Sequence, residues 1–302
     1  MKPLRYRLEA AFIETVSWVA GWLPRRRLIA LGSVLAKVFY FVAFAYRRTT
    51  LENLRNSYGD ELPDRELRRI GLASWAHLGR IGFDTLTFPT LSAKSVGSLV
   101  HYEGLDHIRG AYAKGKGVLL FSGHFGHWEL VALMQGFLGM PLALVTRRID
   151  NPLLEERLAR LRTLSGNEVI HRQGAVRQML KALKRNLGIA IVIDQDARRS
   201  GIFVPFFGRS ASTTPTLAAV ALKTGAPIVP VFSVPKPDGS YQVIYEPEVA
   251  VASTGDHEAD VHRVTADCTA IIERWVRRYP EIWLWMHRRW KTAPPPSLPT
   301  EV

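Results

Sequence analysis

Val118-Leu119-Leu120-Phe121-Ser122-Gly123-His124-Phe125-Gly126-His127-Trp128-Glu129 reads as a short buried strand that turns sharply into a helix. Its first four residues are apolar without alternation, as expected of a strand covered on both faces. Gly123 and Gly126 let the backbone turn tightly and approach a ligand closely. His124 therefore stands at a strand-to-helix junction, a usual place for chemistry on α/β sheets. Downstream, the pattern predicts a helix over 126–138, a strand over 142–146 and a helix opened by Asn151-Pro152 and running to about Ser165, with proline suited to the first turn. A strand at 169–170, a helix over 175–186 and a β-branched strand over 188–193 follow. Next come a helix over 215–224, strands over 228–234 and 241–245 joined by Pro237-Asp238-Gly239, and a long helix over 256–278. Such alternation predicts an α/β fold with a mixed, largely parallel sheet flanked by helices.

The chain has 302 residues, 40 Lys and Arg against 27 Asp and Glu, and one cysteine, Cys268. A net charge of +13 with 47% hydrophobic residues excludes disorder and points to an anionic partner. One thiol excludes a disulfide scaffold and a cysteine-cage metal site. Upstream, Leu8 to Leu23 reads as an apolar helix ended by Pro24 and Arg25-Arg26-Arg27, and Leu28 to Tyr46 is almost continuously apolar. That second run approaches the roughly 20 residues needed to cross a bilayer. Lys37 near its middle would cost roughly 3 kcal/mol at bilayer depth. The segment is therefore expected to be a spanning helix, an interfacial hairpin or a buried core helix. Residues 50–95 read as helical, with Asp64 as a cap and Trp75, Leu78 and Ile81 on one stripe. The expected division is a membrane-anchoring segment over 1–48, an α/β domain over 49–292 and a proline-rich, extended tail over 293–302.

Glu129 follows His124 by about one helical turn, a spacing that allows its carboxylate to reach a ring nitrogen. A carboxylate there would fix the tautomer and stabilise the imidazolium, so that His124 acts as a base. The plainer alternative is a core or capping histidine beside a solvated glutamate. His124, His127 and Glu129 could also be argued as zinc ligands, but the His-Glu-x-x-His geometry is lacking and no metal is expected. No cysteine or G-x-S-x-G elbow offers a nucleophile, so direct transfer to a substrate hydroxyl is the natural mechanism.

Strand–Ser122-Gly123-His124-Phe125-Gly126-x-Trp128-Glu129–helix resembles the His-x4-Asp/Glu signature of the lipid A late acyltransferases, the lauroyl and myristoyl acyltransferases of lipopolysaccharide assembly. Further blocks resemble that family in the same order. They are Lys114-Gly115-Lys116-Gly117, Asn151-Pro152-Leu153 with Arg160, Ile193-Asp194-Gln195-Asp196, Phe203-Val204-Pro205-Phe206-Phe207-Gly208, and Trp285-Met286-His287-Arg288-Arg289-Trp290-Lys291. His127 departs from the pattern, where the family usually has Asn.

The resemblance implies a glycerolipid-acyltransferase-like fold. It also implies transfer of an acyl group from acyl carrier protein to a hydroxyl of a lipid A precursor, without a cofactor. It makes His124 the base, Glu129 its partner, and Arg160 and Asp194 substrate-binding residues, with Arg162 as the neighbouring alternative to Arg160. It places the enzyme at the bacterial inner membrane among membrane lipids, its catalytic domain facing the cytoplasm. Arg177, Lys181, Lys184 and Arg185 share a helical face that suits an acidic carrier or a phosphorylated lipid. Trp283, Trp285 and Trp290 among basic residues suit a membrane headgroup level. No nucleic-acid fold signature accompanies them, and no nucleic-acid partner is expected. An acyltransferase acting on a lysophospholipid or another glycolipid, a thioester hydrolase and a non-catalytic lipid-binding protein are the competing readings.

Overall fold

The computed structural model describes residues 2–295, so the expected tail lies largely outside the described residues. Four helices come first: α1 (Lys2–Ala20), α2 (Arg25–Val42), α3 (Phe44–Tyr58) and α4 (Asp64–Thr85). A short helix α5 (Val96–Leu99) leads into strand β1 (Val100–Glu103), helix α6 (Leu105–Ala113) and strand β2 (Val118–Ser122). Then α7 (Trp128–Phe137), β3 (Leu142–Thr146), α8 (Pro152–Thr163), β4 (Glu168–His171), α9 (Ala175–Lys184) and β5 (Gly188–Val192) alternate. A hairpin, β6 (Ile202–Phe206) and β7 (Arg209–Thr213), precedes α10 (Thr216–Thr224), β8 (Ile228–Pro235), β9 (Tyr241–Tyr245) and α11 (His257–Arg278).

Seven strands form one sheet in the order β1-β9-β8-β2-β5-β3-β4. All neighbours are parallel except β8 and β9, which a tight turn joins as an antiparallel pair. The mixed, largely parallel sheet is thus as the alternation predicts. β2 lies between β8 and β5, and all five of its residues are buried. Cys268 on α11 is buried in the core on one side of the sheet, and burial pushes its thiol far up.

The aromatic run at 203–207 forms β6 and the turn of the hairpin. Phe207 and Gly208 take φ of 54° and 65° at its two-residue turn, the left-handed geometry that matches strand twist. Phe206 and Phe207 pack in the core against Trp283, Trp285 and Tyr58. Trp283 and Trp285 are themselves 2% and 0% exposed, so the headgroup-level expectation for these tryptophans is corrected: they are core residues.

Of the three N-terminal readings, the single spanning helix is not found among the described residues. The apolar run breaks at Ala43, and α2 and α3 meet at 94°, so no single helix among the described residues is long and apolar enough to cross a membrane. Residue 48 falls within α3. α2 packs closely on α4: a Cβ on Gly79 would lie 2.1 Å from the Gly32 carbonyl oxygen. Arg25, the first residue of α2, is tied to the buried Asp84 by Nε and Nη2 at 2.7 and 2.6 Å. The outer faces remain uncovered: Leu4, Leu8, Phe12 and Trp18 of α1, Trp22, and Leu31, Val34, Val38 and Phe39 of α2 are exposed.

Candidate active site

The register of β2 against β5 pairs residue 118 with 188 and 122 with 192. Extended by two residues, it sets His124 beside Asp194, immediately beyond the carboxyl ends of both strands. The Ile193 N–H donates to the Ser122 carbonyl and carries the pairing one step past the strands. Asp194 then turns its side chain onto the loop. Its Oδ2 accepts the backbone N–H of His124 at 2.6 Å, and its Oδ1 meets His124 Nδ1 at 2.8 Å. Gly123 permits this approach, since a Cβ there would lie 2.8 Å from Asp194 Oδ2. Gly126 has φ of 58°, and a Cβ there would strike the Ser233 carbonyl at 1.9 Å.

Asp194 is 4% exposed and also accepts the Trp283 indole N–H at 2.7 Å. Burial pushes its carboxyl up, but the His124 ring and backbone N–H and the Trp283 indole outweigh that and hold it down at about 2. The carboxylate is an acceptor only, so in the neutral form of His124 the proton belongs on Nδ1 and the lone pair on Nε2. The histidine has the tautomer and the orienting anion that a general base requires.

Glu129 is not the carboxylate on that ring. Arg162 takes both of its oxygens, Nε donating to Oε2 at 3.0 Å and Nη2 to Oε1. The helix explains the difference. Glu129 lies in the first turn of α7, facing α8, whereas His124 is four residues before that helix begins. Arg160 does not line the cavity at this site: its side chain is 74% exposed and pairs with Glu156 one turn away. Arg162, two residues on, is the arginine that reaches the site. Asp194, expected to bind substrate, is bonded to His124 and Trp283.

A cavity of about 580 Å³ opens at this point. His124, Trp128, Glu129, Arg162 and Gln195 line it, with Leu120, Val131, Ala132, Leu142, Leu144 and Ala190 forming apolar wall. At its inner side is Gln135, fully buried and bonded by its Oε1 to the Tyr245 hydroxyl at 3.0 Å. Arg147 and Arg172, which follow β3 and β4, also line the cavity, and neither is in an ion pair among the described residues. On the neighbouring helix face, Arg185 is taken up by Glu168, while Arg177, Lys181 and Lys184 have no such partner among the described residues. No cluster of three or more metal-ligating side chains occurs among the described residues.

The C-terminal segment buttresses the site from behind. His287 Nε2 accepts the Asp196 N–H at 3.0 Å. Arg289, with no exposed surface, donates to the carbonyls of Gln195 and Ser212 at 3.4 and 2.6 Å. Burial pushes this guanidinium down to about 10. Trp283 and Arg289 were visible in the sequence only as part of an aromatic and basic run, whose spacing gives no sign of a contact some 90 residues away.

Residues 3–292 match the family described as bacterial lipid A biosynthesis acyltransferase. The chain is 30% identical to a lipid A biosynthesis lauroyltransferase of Escherichia coli K12, over 92% of this chain and 90% of that one. It is 33% identical to a lipid A biosynthesis palmitoleoyltransferase of the same organism, over 64% and 61%. It is 27% identical to a phosphatidylinositol mannoside acyltransferase of Mycolicibacterium smegmatis, over 92% and 91%. The chain belongs to the bacterial lipid A biosynthesis acyltransferase family, and to its acyltransferase enzymes.

His127, the departure from the family pattern, is 1% exposed and N-caps α7: its Nδ1 accepts the Leu130 N–H at 3.4 Å. Its Nε2 faces Asp84 Oδ2 at 3.6 Å. His77 Nε2 donates to the Gly126 carbonyl at 3.1 Å on the other side of the same loop. Burial pushes His127 down to about 4 and His77 to about 3. Both stay neutral in the fold while an unfolded histidine binds a proton near pH 6.5, so their contribution is present above that pH and lost as pH falls. Thermal midpoints should therefore drop from pH 7 to pH 4, with His127 accounting for on the order of 2 kcal/mol. His127→Asn should flatten that slope, and equal slopes for variant and wild type would contradict it.

Proposed function

We propose that this acyltransferase moves a fatty acyl chain from the thioester of acyl carrier protein to a hydroxyl of a lipid A precursor, with His124 as the base. The observation that carries the reading is the His124 ring, held at Nδ1 by an ionised Asp194 with its other nitrogen turned to a largely apolar cavity. Apolar walls suit an acyl chain, and Arg147 and Arg172 suit an anionic group on either substrate. Family membership and the lauroyltransferase relative support the lipid A precursor as acceptor.

His124 Nε2 takes the proton of the acceptor hydroxyl as its oxygen attacks the thioester carbonyl. Asp194 stabilises the imidazolium so formed. The tetrahedral intermediate collapses, the carbon–sulfur bond breaks, and the proton passes from Nε2 to the departing thiolate. Ester and free thiol are the products. Glu129 acts by fixing Arg162 at the cavity wall, where the guanidinium faces the charge that develops on oxygen.

The N-terminal helices are read as an interfacial anchor. Their large apolar side chains are exposed in number on α1 and α2, beside the exposed Arg5, Arg7, Arg26 and Arg27, the combination that suits an interfacial helix. Lys37, exposed on α2, reaches the headgroups without crossing them. The catalytic domain would then lie at the cytoplasmic face of the inner membrane, where a soluble acyl carrier delivers its thioester.

With purified full-length protein, lauroyl-acyl carrier protein should yield acylated lipid only when lipid A precursor is added, and activity should survive exhaustive chelation. His124→Ala should lower turnover roughly 10²–10⁴-fold. Transfer to a phosphatidylinositol mannoside but not to lipid A precursor would move the reading to another glycolipid, as the mycobacterial relative suggests. Thiol release without any acceptor product would make it a hydrolase.

The chain should also co-sediment with vesicles containing anionic phospholipid in high salt. Trp22→Ser with Phe39→Ser should weaken that association several-fold with little change in thermal midpoint. Full retention by the double variant would sink the interfacial assignment.

A further inference from the structure

The lone pair of His124 does not face empty space: Gln195 Nε2 lies 3.3 Å from His124 Nε2. Because Asp194 fixes the proton on Nδ1, the group meeting Nε2 has to be a donor, so Gln195 turns its amide N–H to the base. Its backbone is pinned on every side. Asp194 before it is locked to His124 and Trp283, the Asp196 N–H goes to His287, and the Gln195 carbonyl accepts from Arg289. The side chain itself is exposed and lines the cavity. The result is a donor free to swing on a fixed hinge.

We propose that Gln195 is a further catalytic residue, the N–H donor that meets the thioester carbonyl oxygen as it becomes an oxyanion. This rests on His124 being the base. The acceptor hydroxyl must displace the amide from Nε2 to give up its proton. The displaced N–H then lies within about one hydrogen-bond length of the hydroxyl oxygen and of the carbonyl it attacks. As the new carbon–oxygen bond forms, the carbonyl π electrons move to oxygen and the amide donates to that charge. Collapse restores the carbonyl and expels the thiolate, which takes the proton from His124. Arg162 contributes its fixed charge from the cavity wall, with two of its five N–H groups committed to Glu129, whereas the Gln195 amide is the donor already seated on the base. In the resting site the same amide covers the base and competes with water for its lone pair.

The test measures transfer from lauroyl-acyl carrier protein to lipid A precursor with full-length Gln195→Ala, Gln195→Glu and His124→Ala proteins. Gln195→Glu keeps the shape and removes the N–H. Both Gln195 variants should lose roughly 10²–10³-fold in kcat, with both KM values within threefold and thermal midpoints unchanged. A Gln195→Ala enzyme with more than a third of wild-type kcat, or a loss confined to KM, overturns the proposal. If His124→Ala is inactive in the same series, the base assignment survives that result. If His124→Ala is also active, or the wild type turns over neither substrate, the underlying reading falls and the proposal with it.

Discussion

The site depends on one buried carboxylate. Asp194 has almost no contact with water, yet it stays ionised because three donors converge on it, two from His124 and one from Trp283. A buried anion that lost one of these partners would cost several times what a surface pair contributes. The β2–β5 register, the missing Cβ at Gly123 and the burial of Trp283 are all conditions for that convergence. Through Asp194 the sheet fixes both the position and the tautomer of His124.

This arrangement separates two jobs that the sequence motif runs together. His124 and Glu129 stand five positions apart, and a five-residue spacing invites a direct contact. The chain between them is a loop and not a helix, so they point to different neighbours. His124 belongs to the sheet through Asp194, and Glu129 belongs to α8 through Arg162. His124, Glu129 and Arg162 all line the cavity. In the proposed reaction one pair would handle the proton and the other would hold a guanidinium at the cavity wall, a division of chemistry between ionisable groups with different surroundings.

Most of the sheet was legible because each strand carries its own local signal. The apolar runs at 118–121, 142–146, 188–193 and 228–234 fall on strands, and the glycines at 123 and 126 mark the turn that carries His124. Asp194 was legible through the family resemblance as a site residue, but its partner lies 70 residues away and only the register reveals it. Arg160 and Arg162 differ by 200° around a helix, and their sequence context alone could not say which faces inward. The same limit applies to the tryptophans near 283–290: an aromatic and basic run looks alike at a membrane surface and wrapped over a buried β-hairpin. At the N-terminus, hydropathy registered the apolar run but not the 94° break at Ala43 that converts a spanning length into two helices.

The account turns on Asp194 rather than Glu129 as the partner of His124, and a comparison of two isosteric variants decides it most directly. Acyl transfer by Asp194→Asn and Glu129→Gln should be followed across pH with matched thermal midpoints. Asp194→Asn removes the anion that stabilises the imidazolium, so it should lose roughly 10²–10⁴-fold in turnover at every pH. Glu129→Gln keeps a hydrogen bond to Arg162 and should lose considerably less. Near-normal turnover by Asp194→Asn, with the large loss in Glu129→Gln, would contradict the account and return the glutamate to the histidine.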